Sequence, residues 1–286
     1  MELLQLKYFC DAAKTENFSK TAEHYRLPPS AISQAIKRLE CELDTPLFDR
    51  KANKITLNEQ GRLLLAYATQ ALAALEEART RIKDSRQEVT GEIRLLIATN
   101  RRLVTQAIEQ FKTRYPSVTF LLDHRANENR EYDLIVSDDD SLAQTHHARL
   151  LLTEQMLLAM RDDHPLARQG SLSGVELQEA HFIAMNEGSR LSQTMTKICG
   201  TLGFAPQVTI RCEDPYYVRQ YVELGLGITI VPSFSWNSLF SDHVVFRELG
   251  DFTRSTYVFW KKERYLPRAA ELFLTLLATH CEASPC

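Results

Sequence analysis

Ser30, Ser33, Gln34 and Lys37 stand three and four residues apart, so on a helix they share one edge. Ile32, Ile36 and Leu39 fall on the opposite edge, which makes that edge the buried one. Short hydroxyl and amide side chains at fixed reach can read the donor and acceptor pattern that base pairs show in a major groove. Pro29 suits the first position of such a helix, because its φ is already helical, and Arg38 flanks the polar edge. A second cationic group follows at Pro46-Leu47-Phe48-Asp49-Arg50-Lys51-Ala52-Asn53-Lys54, with the look of a hairpin. Arg50, Lys51 and Lys54 at its tip would hold phosphates or enter a minor groove.

Such a reading edge needs helices to brace it. Leu3, Leu6, Phe9 and Ala13 form an apolar stripe and predict a first helix. Asn17 or Ser19 can cap a second, short helix ending at Tyr25, and Leu27-Pro28-Pro29 is a turn into the third. Two helices across a tight turn, followed by a hairpin, make a winged helix-turn-helix over residues 1–57. By spacing alone any small helical bundle could imitate it. From Asn58, a plausible cap, to about Val89 the pattern predicts one long helix. Leu64, Ala68, Ala71, Leu75, Ala78, Ile82, Ser85 and Val89 alternate steps of four and three. That alanine-rich seam predicts a dimerising linker over residues 58–89, rather than a face packed on its own domain.

Residues 90–286 change character. Short β-branched or apolar strands are expected at Ile93–Ala98, Thr119–Leu122, Asp133–Val136, Met156–Ala159, Phe182–Ala184, Val208–Cys212, Ile228–Val231 and Thr256–Trp260. Amphipathic helical segments alternate with them, around 102–114, 189–202, 215–224 and 267–279. This α/β alternation predicts a mostly parallel sheet, split between two small lobes that face each other across a cleft.

Composition excludes several classes. The 286 residues are 44% hydrophobic and 25% charged, ordinary for a globular protein with true cores. Lys7, Asp11, Lys14 and Glu16 interrupt the start, so no secretory or membrane-spanning run forms, and a cytoplasmic location is expected. Six scattered cysteines without a C-x-x-C pair give no metal or disulfide framework. Buried thiols are the plain expectation, and a redox switch between Cys199 and Cys212 the sharper one. Net charge is −3, with ten Lys/Arg against nine Asp/Glu in residues 1–62. A site-specific reader needs only a local basic face. Gly225-Leu226-Gly227 lacks the third glycine of a dinucleotide loop and precedes a strand, so turns and packing explain it. His146-His147 reads as a solvated pair rather than a metal site. No Gly-x-Ser-x-Gly elbow or zinc spacing is present, and neither enzyme chemistry, a cofactor nor a metal is expected.

The ordered motifs Leu6-x-x-Phe9, Phe18-Ser19-x-x-Ala22-Glu23, Ala31-Ile32-Ser33-Gln34-x-Ile36-x-Arg38-Leu39-Glu40, Leu43-x-x-Pro46-Leu47-Phe48-x-Arg50 and Leu57-Asn58-x-x-Gly61 resemble those of LysR-type transcriptional regulators. Further on, Gly91-Glu92-Ile93-Arg94-Leu95, His164-Pro165-Leu166-Ala167 and Gly225 to Pro232 resemble the family's effector-domain signatures. The resemblance covers essentially the whole chain. It implies a homodimer or a dimer of dimers on double-stranded operator DNA, a small-molecule effector, and RNA polymerase as a candidate partner, with no membrane. It also implies a C-terminal domain like a periplasmic binding protein. Pro28-Pro29-Ser30 departs from the family's Ser-Gln-Pro, which predicts an altered operator. The segment between Tyr115-Pro116 and Asp133-Leu134 is too short for the helix relatives place there. Similarity puts Thr99, Asn100 and Arg101 on one side of the effector cleft, with Arg102 next to them. Met185, Asn186, Glu187 and Ser189 stand opposite, and Cys212, Glu213 and Thr229 near the crossover strands. Helix N-termini and arginines there favour an anionic metabolite such as a carboxylate. The alternative reading is a cytoplasmic solute-binding module or enzyme with a helical N-terminal appendage.

Overall fold

The computed structural model describes residues 1–51, 54–84, 88–127, 130–170, 172–236 and 239–282, apart from the side chains of Lys51, Lys54 and residues 280–282. The chain forms two compact units, Met1–Gln87 and Glu88–Cys286.

The first unit comprises α1 (Leu3–Thr15), α2 (Phe18–Tyr25), α3 (Pro29–Glu42), β1 (Phe48–Lys51), β2 (Lys54–Leu57) and α4 (Glu59–Asp84). Local chemistry sets most boundaries. Glu16 adopts the left-handed conformation and closes α1, and its carboxylate then accepts the Leu57 amide at 2.9 Å. Asn17 caps α2 by accepting the Ser19 and Lys20 amides. Pro28 precedes α3 without a side-chain cap, and Pro29 opens the helix. Asn58 fastens the base of the hairpin: its Oδ1 accepts the Gly61 amide and its Nδ2 donates to Pro46 O, each at 2.8 Å. Phe9, Ile32, Ile36, Leu39, Leu47 and Phe48 form the core of this unit.

The long helix departs from the expected seam. Leu64 and Ala68 pack on this core rather than facing outward. The exposed stripe keeps Ala71, Leu75, Ala78 and Ile82 of that seam but begins at Leu63 and Tyr67, with Leu63, Tyr67 and Leu75 at 57%, 67% and 53% exposure. The helix is described as far as Asp84, Val89 packs against the core of the second unit, and Ser85 lies outside the described residues.

The second unit contains β3 (Gly91–Ile97), α5 (Arg101–Arg114), β4 (Val118–Asp123), β5 (Leu134–Ser137), β6 (His146–Arg161), α6 (Gly174–Gln178), β7 (His181–Met185), α7 (Arg190–Thr201), β8 (Gln207–Cys212), α8 (Pro215–Glu223), β9 (Thr229–Pro232), α9 (Ser233–Trp236), β10 (Val244–Lys261) and α10 (Arg268–Glu282). Its main sheet has the order β4-β3-β5-β10-β6-β9. The sheet is mixed, not mostly parallel. β3 pairs in parallel with β4 and β5, whereas β10 runs antiparallel to β5 and β6, and β9 antiparallel to β6. The reason is the pair β6 and β10, whose register runs from Lys261↔His146 to Val244↔Arg161. Each strand thereby serves both lobes. One core gathers Ile93, Leu95, Phe111, Leu134, Val258 and Phe273. The other lobe buries Met156, Leu158, Phe182, Ile198 and Ile228 around the parallel pair of β7 and β8. Between β4 and β5 the described residues form no helix, matching the shortness of that segment.

Candidate nucleic-acid interface and effector cleft

In the first unit α3 has two faces of opposite character. Ile32, Ile36 and Leu39 are fully buried. Pro29, Ser30, Gln34, Lys37 and Arg38 are exposed, and Ser33 is half-buried beside them. Among the described residues no carboxylate lies within ion-pair reach of Lys37 or Arg38, so their charge is open to an anion. The hairpin is fixed to α3 through Glu40, which sequence reasoning did not single out. Its Oε1 accepts the Leu47 amide at 2.9 Å, and Arg50 Nη2 donates to its Oε2 at 2.8 Å. The Arg50 guanidinium also lies 5.8 Å from the Phe18 ring centre. Arg50 is therefore partly committed within the protein. The side chains of Lys51 and Lys54 lie outside the described residues.

In the second unit a cavity of about 1100 Å³ opens between the lobes. Three helix N-termini border it: α5 after Asn100, α7 after Ser189 and α8 after Asp214. Of the residues named from sequence, Thr99, Asn100, Arg101, Met185, Asn186, Ser189 and Glu213 line it. Cys212 lines a neighbouring cavity of about 540 Å³. Thr229 lines neither. It is buried in β9, in register with Ala159, because a strand residue beside a loop has only an even chance of facing the cleft.

Along one wall of the cavity sits a buried polar cluster. Glu154 on β6 stands directly across from Arg254 on β10, and Arg254 Nη2 donates to Glu154 Oε1 at 2.9 Å. Asn100 Nδ2 and Ser235 Oγ donate to the same oxygen, while the amides of Phe234 and Ser235 donate to Oε2. Asn100 also reaches Thr256 Oγ1 at 2.5 Å, and its Oδ1 shares the one Ser235 hydroxyl proton with Glu154. Asn100 is thus a structural member of the wall, held in the left-handed conformation at φ 52°. Two ion pairs join residues on opposite sides of the cavity. Arg125 pairs with Glu213, and Arg190 reaches Asp138 and Asp139 at 3.2 and 2.9 Å. The Ser141 hydroxyl, helped by Arg190, holds the Asp139 carboxyl below its ordinary range. The sequence reading missed Glu154, Arg254, Ser235, Arg219 and Trp236. A carboxylate inside the apolar run Leu150 to Leu158 was the available signal.

Cys10, Cys199 and Cys212 are buried free thiols and Cys41 an exposed one, with Cys281 and Cys286 outside the described side chains. Burial pushes the Cys199 thiol up to about 11, which suppresses the thiolate a redox switch needs. Gly227 is a packing residue: an added Cβ would lie 2.6 Å from His181 O. His146 bonds Thr145 Oγ1, and the His147 ring lies 5.3 Å from that of Trp260. Among the described residues no group of three or more His, Cys, Asp or Glu is placed to hold a metal ion, and no helix is long and apolar enough to cross a membrane.

A helix-turn-helix head with a wing, carried on the same chain as a two-lobed binding unit, defines a DNA-binding regulator with an effector domain. Comparison with known proteins agrees. Residues 3–62 match the family described as bacterial regulatory helix-turn-helix protein, lysR family, and residues 86–282 match the LysR substrate binding domain. The chain belongs to the LysR family of transcriptional regulators. It is 31% identical over 242 residues to the transcriptional dual regulator GltC of Bacillus subtilis (strain 168), covering 81% of each protein. Its fold is similar to that of full-length CbnR complexed with its target DNA, with a TM-score of 0.64 at 19% identity and full coverage of both chains. HinK, a LysR family regulator from Pseudomonas aeruginosa, gives 0.57 at 20% identity, over 97% of this chain and 98% of that one. The alternative of a solute-binding module with an unrelated appendage is set aside, since both units match the one family.

Proposed function

We propose that this regulator reads its operator with Pro29, Ser30, Ser33, Gln34, Lys37 and Arg38, and that Arg50, Lys51 and Lys54 anchor the wing on the DNA backbone. The observation that carries the reading is the polarity of α3, with Ile32, Ile36 and Leu39 fully buried and the edge from Ser30 to Arg38 facing solvent. The working form is a cytoplasmic homodimer or dimer of dimers, joined along the exposed stripe of α4, in which residues 1–57 read DNA, 58–89 link and 90–286 sense. The protein acts by binding and not by catalysis. A small anionic metabolite in the cleft, contacted by Thr99, Asn100, Arg101, Met185, Asn186, Ser189 and Glu213, shifts the populations of lobe or dimer arrangements. That shift alters DNA bending and the access of RNA polymerase. Cys212 borders the outer cavity instead.

A gel shift on the protein's own promoter region tests the DNA half. Ser33→Ala and Gln34→Ala each lose sequence preference by about 1–3 kcal/mol per base contact. Lys54→Ala weakens all sequences alike and lowers the salt slope by about one. A promoter fragment bound no better than random DNA refutes the reading. Ser189→Phe leaves basal DNA binding intact and removes any inducer response.

A further inference from the structure

The cleft wall holds two buried polar atoms without a partner among the described residues, Thr99 Oγ1 and Arg254 Nε. Both side chains are more than nine-tenths buried, at 6% and 8% exposure, and both line the main cavity. Arg254 Nε is a donor, the Thr99 hydroxyl can donate, and both belong to one connected wall. Thr99 precedes Asn100, which bonds Ser235, and Ser235 Oγ stands 3.4 Å from Arg254 Nη2. Trp236 follows Ser235, and the Arg219 guanidinium lies 5.3 Å from its ring centre. Arg219 also lines the cavity, half-buried, with no carboxylate within ion-pair reach among the described residues. Burial holds its pKa below the ordinary arginine value, although Asp214, Glu223 and Tyr216 oppose that shift.

Of the other arginines of the wall, Arg101 is exposed at the start of α5 and the Arg102 guanidinium lies 5.8 Å from the Phe234 ring centre, while the rest are ion-paired. Glu154 neutralises Arg254, Asp138 and Asp139 neutralise Arg190, Glu213 neutralises Arg125, and Asp123 neutralises Arg130. Beside Trp236 this leaves the partly desolvated Arg219 guanidinium, with two buried groups nearby that can donate. Around them stand Met185, Leu191, Trp236 and Leu239, an apolar surface that a small hydrophilic dianion would leave uncovered.

Resting on the effector-cleft reading above, we propose that the ligand is an aromatic monocarboxylate. Its carboxylate meets Arg219 and the donors of Thr99 and Arg254, and its ring lies against Trp236.

The test uses the full chain carrying Trp260→Phe, which leaves Trp236 as the sole indole. The probes are 3-phenylpropionate, 3-phenyl-1-propanol, propionate, succinate and inorganic phosphate, followed by Trp236 fluorescence and, on the unsubstituted chain, by calorimetry. The expected result is saturable binding of 3-phenylpropionate at least tenfold tighter than that of every other probe. Arg219→Gln should abolish that preference over the alcohol without moving the alcohol's own Kd. Succinate or phosphate binding as tightly as the aryl acid, an unchanged preference in Arg219→Gln, or no saturable binding at millimolar concentration overturns the proposal. Gly188→Phe separates the two levels of the reading, because Gly188 lines the cleft and a Cβ there meets nothing within 4 Å. If Gly188→Phe leaves aryl-acid binding untouched, the cleft assignment itself fails. If it blocks succinate while succinate outcompetes the aryl acid, the cleft stands and the ligand class falls.

Discussion

Arg50 Nη2 donates to Glu40 Oε2 at 2.8 Å, and this pair joins the wing to the helix that offers the polar edge. The same carboxylate accepts the Leu47 amide at 2.9 Å, so one side chain sets both the start and the side of β1. Glu40→Ala strands a part-buried amide and frees the wing. The expected loss is about 1–3 kcal/mol of stability for the first unit. Glu40→Gln keeps an acceptor and loses less. Thermal unfolding gives the stability, and anisotropy with operator DNA should show a loss of affinity in Glu40→Ala larger than its small change in net charge explains. Equal affinity in both variants would mean that the wing is placed by its own turn.

Gly61 sits in the first turn of α4, against the base of the hairpin. An added Cβ would stand 2.3 Å from Leu47 O and 2.6 Å from Leu57 Cδ1. That carbonyl cannot yield easily, because it accepts the Asn58 amide at 3.1 Å. Gly61→Ala should therefore cost about 1–3 kcal/mol through overpacking. Gly200→Ala, in the last turn of α7 where a Cβ meets nothing within 4 Å, should gain up to about 1 kcal/mol. Urea midpoints of the two variants should move in opposite directions.

How much of this was legible varied with the range of the interactions. Asn17, Pro29 and the Ile32-Ile36-Leu39 stripe act within one or two turns, so local pattern placed them. α4 was legible as a helix, but it has two apolar faces. Periodicity could not tell that Leu64 and Ala68 serve the core while Leu63 and Tyr67 face outward. β6 and β10 were seen only in part, because Glu154 and Gly250-Asp251 break the apolar pattern inside strands that pair across about a hundred residues of chain. That hidden pairing also turned an expected parallel sheet into a mixed one. In the cleft, residues at helix starts such as Thr99 and Ser189 reach the cavity lining, as their place before a helix suggests. Arg219, Trp236 and Arg254 come together from three separate elements, and no spacing along the chain announces them.

His164 opens the single helical turn Pro165–Arg168 by accepting the Leu166 amide on Nδ1 at 3.2 Å. Only a ring unprotonated at that nitrogen can accept. Burial pulls its pKa below 6.5, with Asp163 opposing the shift. For a histidine depressed in the folded state, the stabilising contribution is fully present above the unfolded value near 6.5. It is lost as pH falls through that value toward the folded one. His164→Asn keeps a capping acceptor that does not titrate. The wild-type urea midpoint should fall more between pH 7.5 and 5.5 than that of His164→Asn, and parallel curves would remove His164 from the acid response.

Glu154 and Arg254 face each other across β6 and β10 at 0% and 8% side-chain exposure. An isolated buried pair can often be replaced by two apolar residues at no net cost, whereas removing one partner costs about 3–5 kcal/mol. This pair is not isolated. Glu154 also accepts from Asn100, from Ser235 Oγ and from the amides of Phe234 and Ser235, so its loss orphans donors that Arg254 does not supply. Glu154→Met should therefore destabilise more than Arg254→Met. The double variant should stay below wild type by at least the cost of two unmade amide bonds, about 1–3 kcal/mol each. A double-mutant cycle by urea denaturation measures this. Recovery of wild-type stability in Glu154→Met/Arg254→Met would mean that the cluster reduces to a simple ion pair, and that the backbone of α9 does not depend on it.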